Sequence, residues 1–123
     1  MKKNKADKLV KALRSGTYKH GKAALVDDND RFCCLGVACN ISVMELDWVK
    51  GESTGRWYID GESGELPTSI QEEYGFVDII GSRRDHSPLL IGGEYYDSLA
   101  NANDHGATFK QIADYIEANY KEL

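Results

Sequence analysis

Long apolar runs, proline and pairable cysteine are what this 123-residue chain has least of. With two prolines and no low-complexity tract, it is neither collagen-like nor a proline-rich linker. No stretch approaches the roughly 20 apolar residues of a membrane span. Lys8, Lys11 and Arg14 interrupt what would be the apolar core of a signal peptide after Met1-Lys2-Lys3-Asn4-Lys5, so no leader is expected and the expected compartment is the cytoplasm. The cysteines are odd in number, at Cys33, Cys34 and Cys39. Neighbouring cysteines rarely satisfy disulfide geometry. Reduced, buried thiols are therefore expected, and the sequon Asn40-Ile41-Ser42 is a chance match.

Familiar catalytic and cofactor motifs are also missing. The adjacent Cys33 and Cys34 followed by Cys39 do not have zinc-site spacing, and no metal site or cofactor is expected. Asp27-Asp28-Asn29-Asp30 is similar to a calcium loop, but counting from Asp28 puts Cys33 and Cys39 where an EF-hand needs Gly and Glu. Asp60, Glu62 and Glu65 read as a solvated turn. Asp85-His86-Ser87 names the residue types of a serine hydrolase, but consecutive residues point apart and a triad is assembled in space. There is no G-x-G-x-x-G, and Gly51-Glu52-Ser53-Thr54-Gly55-Arg56 lacks the Gly-Lys-Ser/Thr ending of a P-loop. Cys34 is the candidate nucleophile of a thiol-dependent hydrolase only if His20, His86 or His105 comes within reach and the thiol is open to an electropositive cleft.

The remaining properties are globular. Hydrophobic residues make up 41 % of the chain and charged residues 28 %, at a net charge of −5. One domain over residues 1–123 is expected, long enough for a core without staples. The charge is unevenly distributed. Lys2, Lys3, Lys5, Lys8, Lys11, Arg14, Lys19 and Lys22 face Asp7 alone before residue 23, and the rest of the chain is strongly acidic. The simplest consequence is a basic arm lying on an acidic body; the alternative is an anionic partner, nucleic acid included, for the first helix. Duplex nucleic acid is disfavoured as a partner of the remaining surface.

Ala6, Leu9, Val10 and Leu13 at helical spacing predict a helix over about Asn4–Ser15, with Asn4 as N-cap and Gly16 as the stop. Ala23–Val26 reads as a short strand, with Arg31-Phe32 returning after a turn. The apolar stretch Cys33–Met44 reads as a buried helix in which Gly36 implies a close backbone contact. Arg56–Ile59 has strand character, followed by Asp60-Gly61 as a turn. Thr68 and Gln71 match a capping box for a helix ending at Gly75. Val77–Ile80 and Leu89–Ile91 read as strands. Thr108 and Gln111 cap a last helix bearing Phe109, Ile112, Ala113, Ile116 and Tyr120 on one face. Asn103–Ala113 is similar to the turn and second helix of a helix-turn-helix, but its acidic surroundings favour a structural turn at Gly106.

Together these elements predict an α+β fold of one compact domain. About three to four helices are expected on a small, mostly antiparallel sheet. The expected core is Leu9, Val10, Leu13, Phe32, Cys34, Leu35, Val37, Ala38, Ile41, Ile70, Phe109, Ile112, Ala113 and Ile116. Trp48, Trp57 and Tyr58 are the candidate ligand-stacking residues, and Arg31, Arg56, Arg83 and Arg84 the candidate phosphate-holding ones. Stacking combined with guanidinium contacts is how proteins hold bases and nucleotide-like molecules.

Four segments taken together resemble a known family. They are Leu13-Arg14-Ser15-Gly16-x-Tyr18-x-x-Gly21, Arg31-Phe32-Cys33-Cys34-Leu35-Gly36-Val37-x-Cys39, Leu66-Pro67, and Leu99-Ala100-x-x-Asn103-Asp104-x-Gly106-x-x-Phe109-x-x-Ile112-Ala113-x-x-Ile116. The family they are similar to is one of small, uncharacterised proteins of phage and prophage genomes, and the likeness covers nearly the whole chain. It implies a phage accessory protein in a bacterial host cytoplasm and transfers no catalytic residue. The resulting expectation is a non-catalytic binding protein that sequesters a nucleotide-like small molecule or a host protein. The thiol hydrolase and the nucleic-acid contact through the first helix are the alternatives, and the oligomeric state is left open.

Overall fold

Amphipathic spacing organises the two longest helices, and these pack on each other more extensively than any other pair of elements. The computed structural model describes all residues 1–123. Helix α1 spans Lys3–Arg14 and α5 spans Phe109–Asn119. Ala6, Leu9, Val10 and Leu13 of the first, and Ile112, Ala113 and Ile116 of the second, are buried. Burial of such side chains stabilises by about 1.5–3 kcal/mol each for the larger ones.

Between them lie α2 (Cys34–Asn40), β1 (Trp48–Lys50), β2 (Trp57–Ile59), α3 (Thr68–Tyr74), β3 (Leu89–Ile91), β4 (Glu94–Tyr96) and α4 (Leu99–Asp104). A 3₁₀ turn, Tyr120–Glu122, follows α5. The class is α+β, with five α-helices. Strand pairing is antiparallel and divided between two separate hairpins, β1–β2 and β3–β4. The β3–β4 turn uses Gly92 and Gly93, both at positive φ, as a tight two-residue hairpin requires. A single cluster of 27 buried residues joins the elements.

The basic arm docks on the acidic body. Arg14 forks onto Asp114 and Glu117 of α5 at 2.8 and 2.9 Å, and Lys5 reaches the buried Glu73 at 3.2 Å. The exposed Arg14 pairs serve orientation more than stability.

Several local expectations are corrected. Lys2, not Asn4, is the N-cap of α1, and it has no side-chain cap. Pro67, not Thr68, precedes α3, so Gln71 completes no capping box there. The Cys33–Met44 helix ends at Asn40 because Glu73 draws the Ser42 hydroxyl and the Val43 N–H out of helical register. Ala23–Val26 forms no strand. Asp104 takes the Ala23 N–H and Ser63 the Leu25 N–H, leaving only an isolated bridge of Val26 with Phe32. Val77–Ile80 is a turn closed by Asp78, whose carboxylate accepts from the Ile80 and Ser82 N–H groups. Helix α4 was too short for its periodicity to be visible, although the Ser98 hydroxyl caps it. Phe32, Ile41 and Phe109 are half-buried rather than core.

Candidate functional site

Two places in the fold gather chemistry-bearing side chains, one closed and one open. The closed one is the meeting point of three chain segments on Asn103. Its side-chain oxygen accepts the Cys34 N–H at 3.0 Å and meets His20 Nε2 at 2.7 Å, while its nitrogen donates to the Gly21 carbonyl at 2.9 Å. Because that oxygen is an acceptor, His20 Nε2 carries the proton and the ring is the Nε2–H tautomer when neutral. The ring stacks on Phe109 with centroids 4.2 Å apart, and burial lowers its pKa from the ordinary histidine value. Asn103 is fully buried, and each of its polar atoms is satisfied.

The thiols sit beside this junction. All three are free and buried. Burial pushes the Cys33 thiol up to about 11, that of Cys39 higher still, and that of Cys34 well above the ordinary thiol value. Cys33 Sγ caps α2 by accepting the Gly36 N–H at 3.3 Å, and Cys34 Sγ donates weakly to the Leu99 carbonyl at 3.7 Å. No imidazole bonds to any of them; His20 is committed to Asn103. These sulfurs are packing and capping groups, with none of the thiolate character a nucleophile needs. Gly36 is required because a Cβ there would stand 1.9 Å from the Leu25 carbonyl oxygen.

The open place is a cleft of about 320 Å³ lined by Val26, Asp30, Phe32, Asn40, Trp48 and Trp57. Three devices build it. The tight turn Asp27–Arg31 is held by the Asp27 carboxylate, which takes the Asn29 and Arg31 N–H groups and the Arg31 guanidinium. Burial works against ionisation of Asp27, but these bonds outweigh it and lower its pKa. Asp30 then sits in the left-handed region at φ 58°, which Asp tolerates better than most residues. Its carboxylate accepts the Trp57 indole N–H at 3.0 Å. The third device is the pleat of the β1–β2 hairpin. Trp48 pairs with Ile59 and Lys50 with Trp57, so both tryptophans share one face, while Val49 and Tyr58 share the other. Phe32 meets Trp48 edge-on at 6.4 Å, and Asn40 is oriented by a bond to the Tyr18 hydroxyl.

Of the candidate ligand residues, Trp48 and Trp57 line the cleft. Tyr58 lies on the opposite face of the hairpin, beside Thr54. Arg31 is spent on Asp27, and Arg56 is exposed without a side-chain partner. Arg83 and Arg84 belong to another part of the molecule. Arg83 bonds Asp85 and Tyr115 and pairs with Glu122 at 3.8 Å, and Arg84 bonds the carbonyls of Gly75 and Lys121. Val26, Asp30, Phe32 and Asn40 line the cleft without having been anticipated.

The chain matches no curated protein and no solved structure. It does match a family model described as a domain of unknown function, over residues 1–120. The three segments that converge on Asn103 and the cleft built beside them all lie within that match, and the chain belongs to this family, DUF8296.

Proposed function

We propose that this protein is a non-catalytic binding protein whose recognition site is the cleft between Trp48 and Trp57. The observation that supports this is the cleft itself. It has two indoles and a phenyl ring around an open concavity at the lower end of the size range of small-molecule sites, with Asp30 and Asn40 as its polar groups. Its biological setting, by resemblance, is that of a phage accessory protein in the bacterial cytoplasm that sequesters a small molecule. A nucleotide-like ligand would stack its ring here. The phosphate contacts would then fall to Arg56 or Lys50, since Arg83 and Arg84 are held at the C-terminal turn.

A host protein as the sequestered partner is a second reading, favoured by the exposure of Val43, Met44 and Val49 on the segment that carries Trp48. The thiol hydrolase gains no support from sulfurs this deeply buried. The nucleic-acid alternative retains the unpaired Lys8 and Lys11 of α1, but loses Arg14 to α5.

Trp48 and Trp57 are the only tryptophans, so intrinsic fluorescence reports directly on the cleft. Titration with cyclic dinucleotides, ADP-ribose and small metabolites of other charge is expected to give saturable quenching with at least one class. That response should disappear in Trp57→Leu. Flat titrations throughout would remove the small-molecule reading.

A further inference from the structure

The charge around the cleft narrows the ligand further. A site for phosphate-bearing ligands presents guanidinium, ammonium or a run of backbone N–H groups to the anion. No cationic side chain lines this cleft, and its one charged lining group is the Asp30 carboxylate. Between Val26 and Trp57 the carboxylates Asp27, Asp28, Asp30, Glu45, Asp47 and Glu52 outnumber Arg31, Lys50 and Arg56. Arg31 is already neutralised by Asp27 at 2.8 Å.

Aromatic faces attract cations through their quadrupole, Trp most strongly, and cages of several rings with an adjacent carboxylate hold methylated ammonium groups. Phe32, Trp48, Trp57 and Asp30 are that combination, drawn from the segment at the Asp27–Arg31 turn and from the β1–β2 hairpin. The fold already uses the same attraction, with Lys50 Nζ 5.6 Å from the Trp57 ring centre, although Lys50 itself does not line the cleft. The bond from the Trp57 N–H to Asp30 Oδ1 enriches the indole in electron density and fixes the carboxylate at the cleft edge.

We infer that the cleft takes a small organic cation bearing a methylated ammonium group, held against the indole rings of Trp48 and Trp57 and beside the Asp30 carboxylate. This rests on the cleft being a ligand site. A bounded concavity of about 320 Å³ suits a free small molecule of the choline class better than an extended chain.

The test compares choline with its neutral isostere 3,3-dimethyl-1-butanol by tryptophan fluorescence and calorimetry on the full chain. Choline is expected to bind roughly tenfold or more tightly than the isostere. Asp30→Asn keeps an acceptor for the Trp57 N–H and suits the left-handed backbone, so it removes the charge alone. It should weaken choline several-fold and leave the isostere unchanged. Trp57→Leu should abolish both responses.

Equal affinity for choline and the isostere would overturn the cation assignment while leaving the cleft a ligand site. So would tighter binding of ADP-ribose than of choline. Binding of a trimethyl-lysine peptide without any response to choline or tetramethylammonium would overturn the small-molecule assignment. Absence of any response from all these probes would overturn both this inference and the binding function on which it rests.

Discussion

The Asn103 junction and the tryptophan cleft share the segment Phe32–Cys34, with Phe32 lining the cleft and the Cys34 N–H bonded at the junction, yet they treat polar and aromatic groups in opposite ways. At the junction the polar atoms of the buried Asn103 are all satisfied by protein partners. Asn103 is fully buried and joins the backbones of Gly21 and Cys34, and Asp104 adds that of Ala23. In the cleft, aromatic rings that would gain from burial are left half-open around one carboxylate. Buried polar groups reward full satisfaction and punish its loss, whereas open aromatic surface costs stability and is kept where a partner covers it. The closed site therefore belongs to folding, and the open one is the proposed place of recognition.

That contrast breaks most sharply at the thiols. In native protein, Cys33, Cys34 and Cys39 should react with iodoacetamide slower than in denaturant by roughly a thousandfold or more, because exposure requires an opening that costs several kcal/mol. Fast labelling of Cys34 at neutral pH would make the closed region an open one. Asn103→Ala comes next. It strips partners from the Cys34 N–H and the Gly21 carbonyl together, and should cost about 3 kcal/mol in urea unfolding. Gly36→Ala drives a methyl group into the Leu25 carbonyl and should cost about 2 kcal/mol by the same measurement.

A smaller effect is expected from pH. His20 is held neutral by burial, with Lys22 opposing its protonation and Asn103 and Asp104 favouring it. Its folded pKa lies below the unfolded value, so the unfolded chain binds the proton more readily. Stability should fall as pH drops below about 6.5 and continue to fall until the folded-state pKa is passed. His20→Gln should flatten that slope. The smallest effect belongs to the open region. Asp30→Asn should leave stability within about 0.5 kcal/mol of the parent while altering recognition. A large loss of stability there would erase the distinction between the two sites.

How much of this was legible from the residues follows their range of interaction. Helices α1 and α5 were readable because each declares its buried face every three or four residues, and Thr108 with Gln111 marks a start that the structure keeps. The β2 strand, the turn at Asp60-Gly61 and the close contact at Gly36 were readable for the same local reason. Ala23–Val26 and Val77–Ile80 misled because side chains distant or adjacent, Asp104 and Asp78, took backbone N–H groups that a strand would have used. Trp48 and Trp57 were visible as large aromatics. Nothing in their spacing separated them from Tyr58 or from the remote Arg83 and Arg84, because only strand register decides which residues share a face.

The sequence by itself determined the α+β class, the buried thiols, the uneven charge of a basic first helix and an acidic body, and the two long helical faces. All of these follow from periodicity, turn chemistry and composition acting over a few residues. Only the tertiary structure decided that Asn103 ties Gly21 to Cys34, and that a turn near residue 30 and a hairpin near residue 57 enclose one cleft. Contacts between segments so far apart depend on how the whole core closes, and no local pattern encodes that closure.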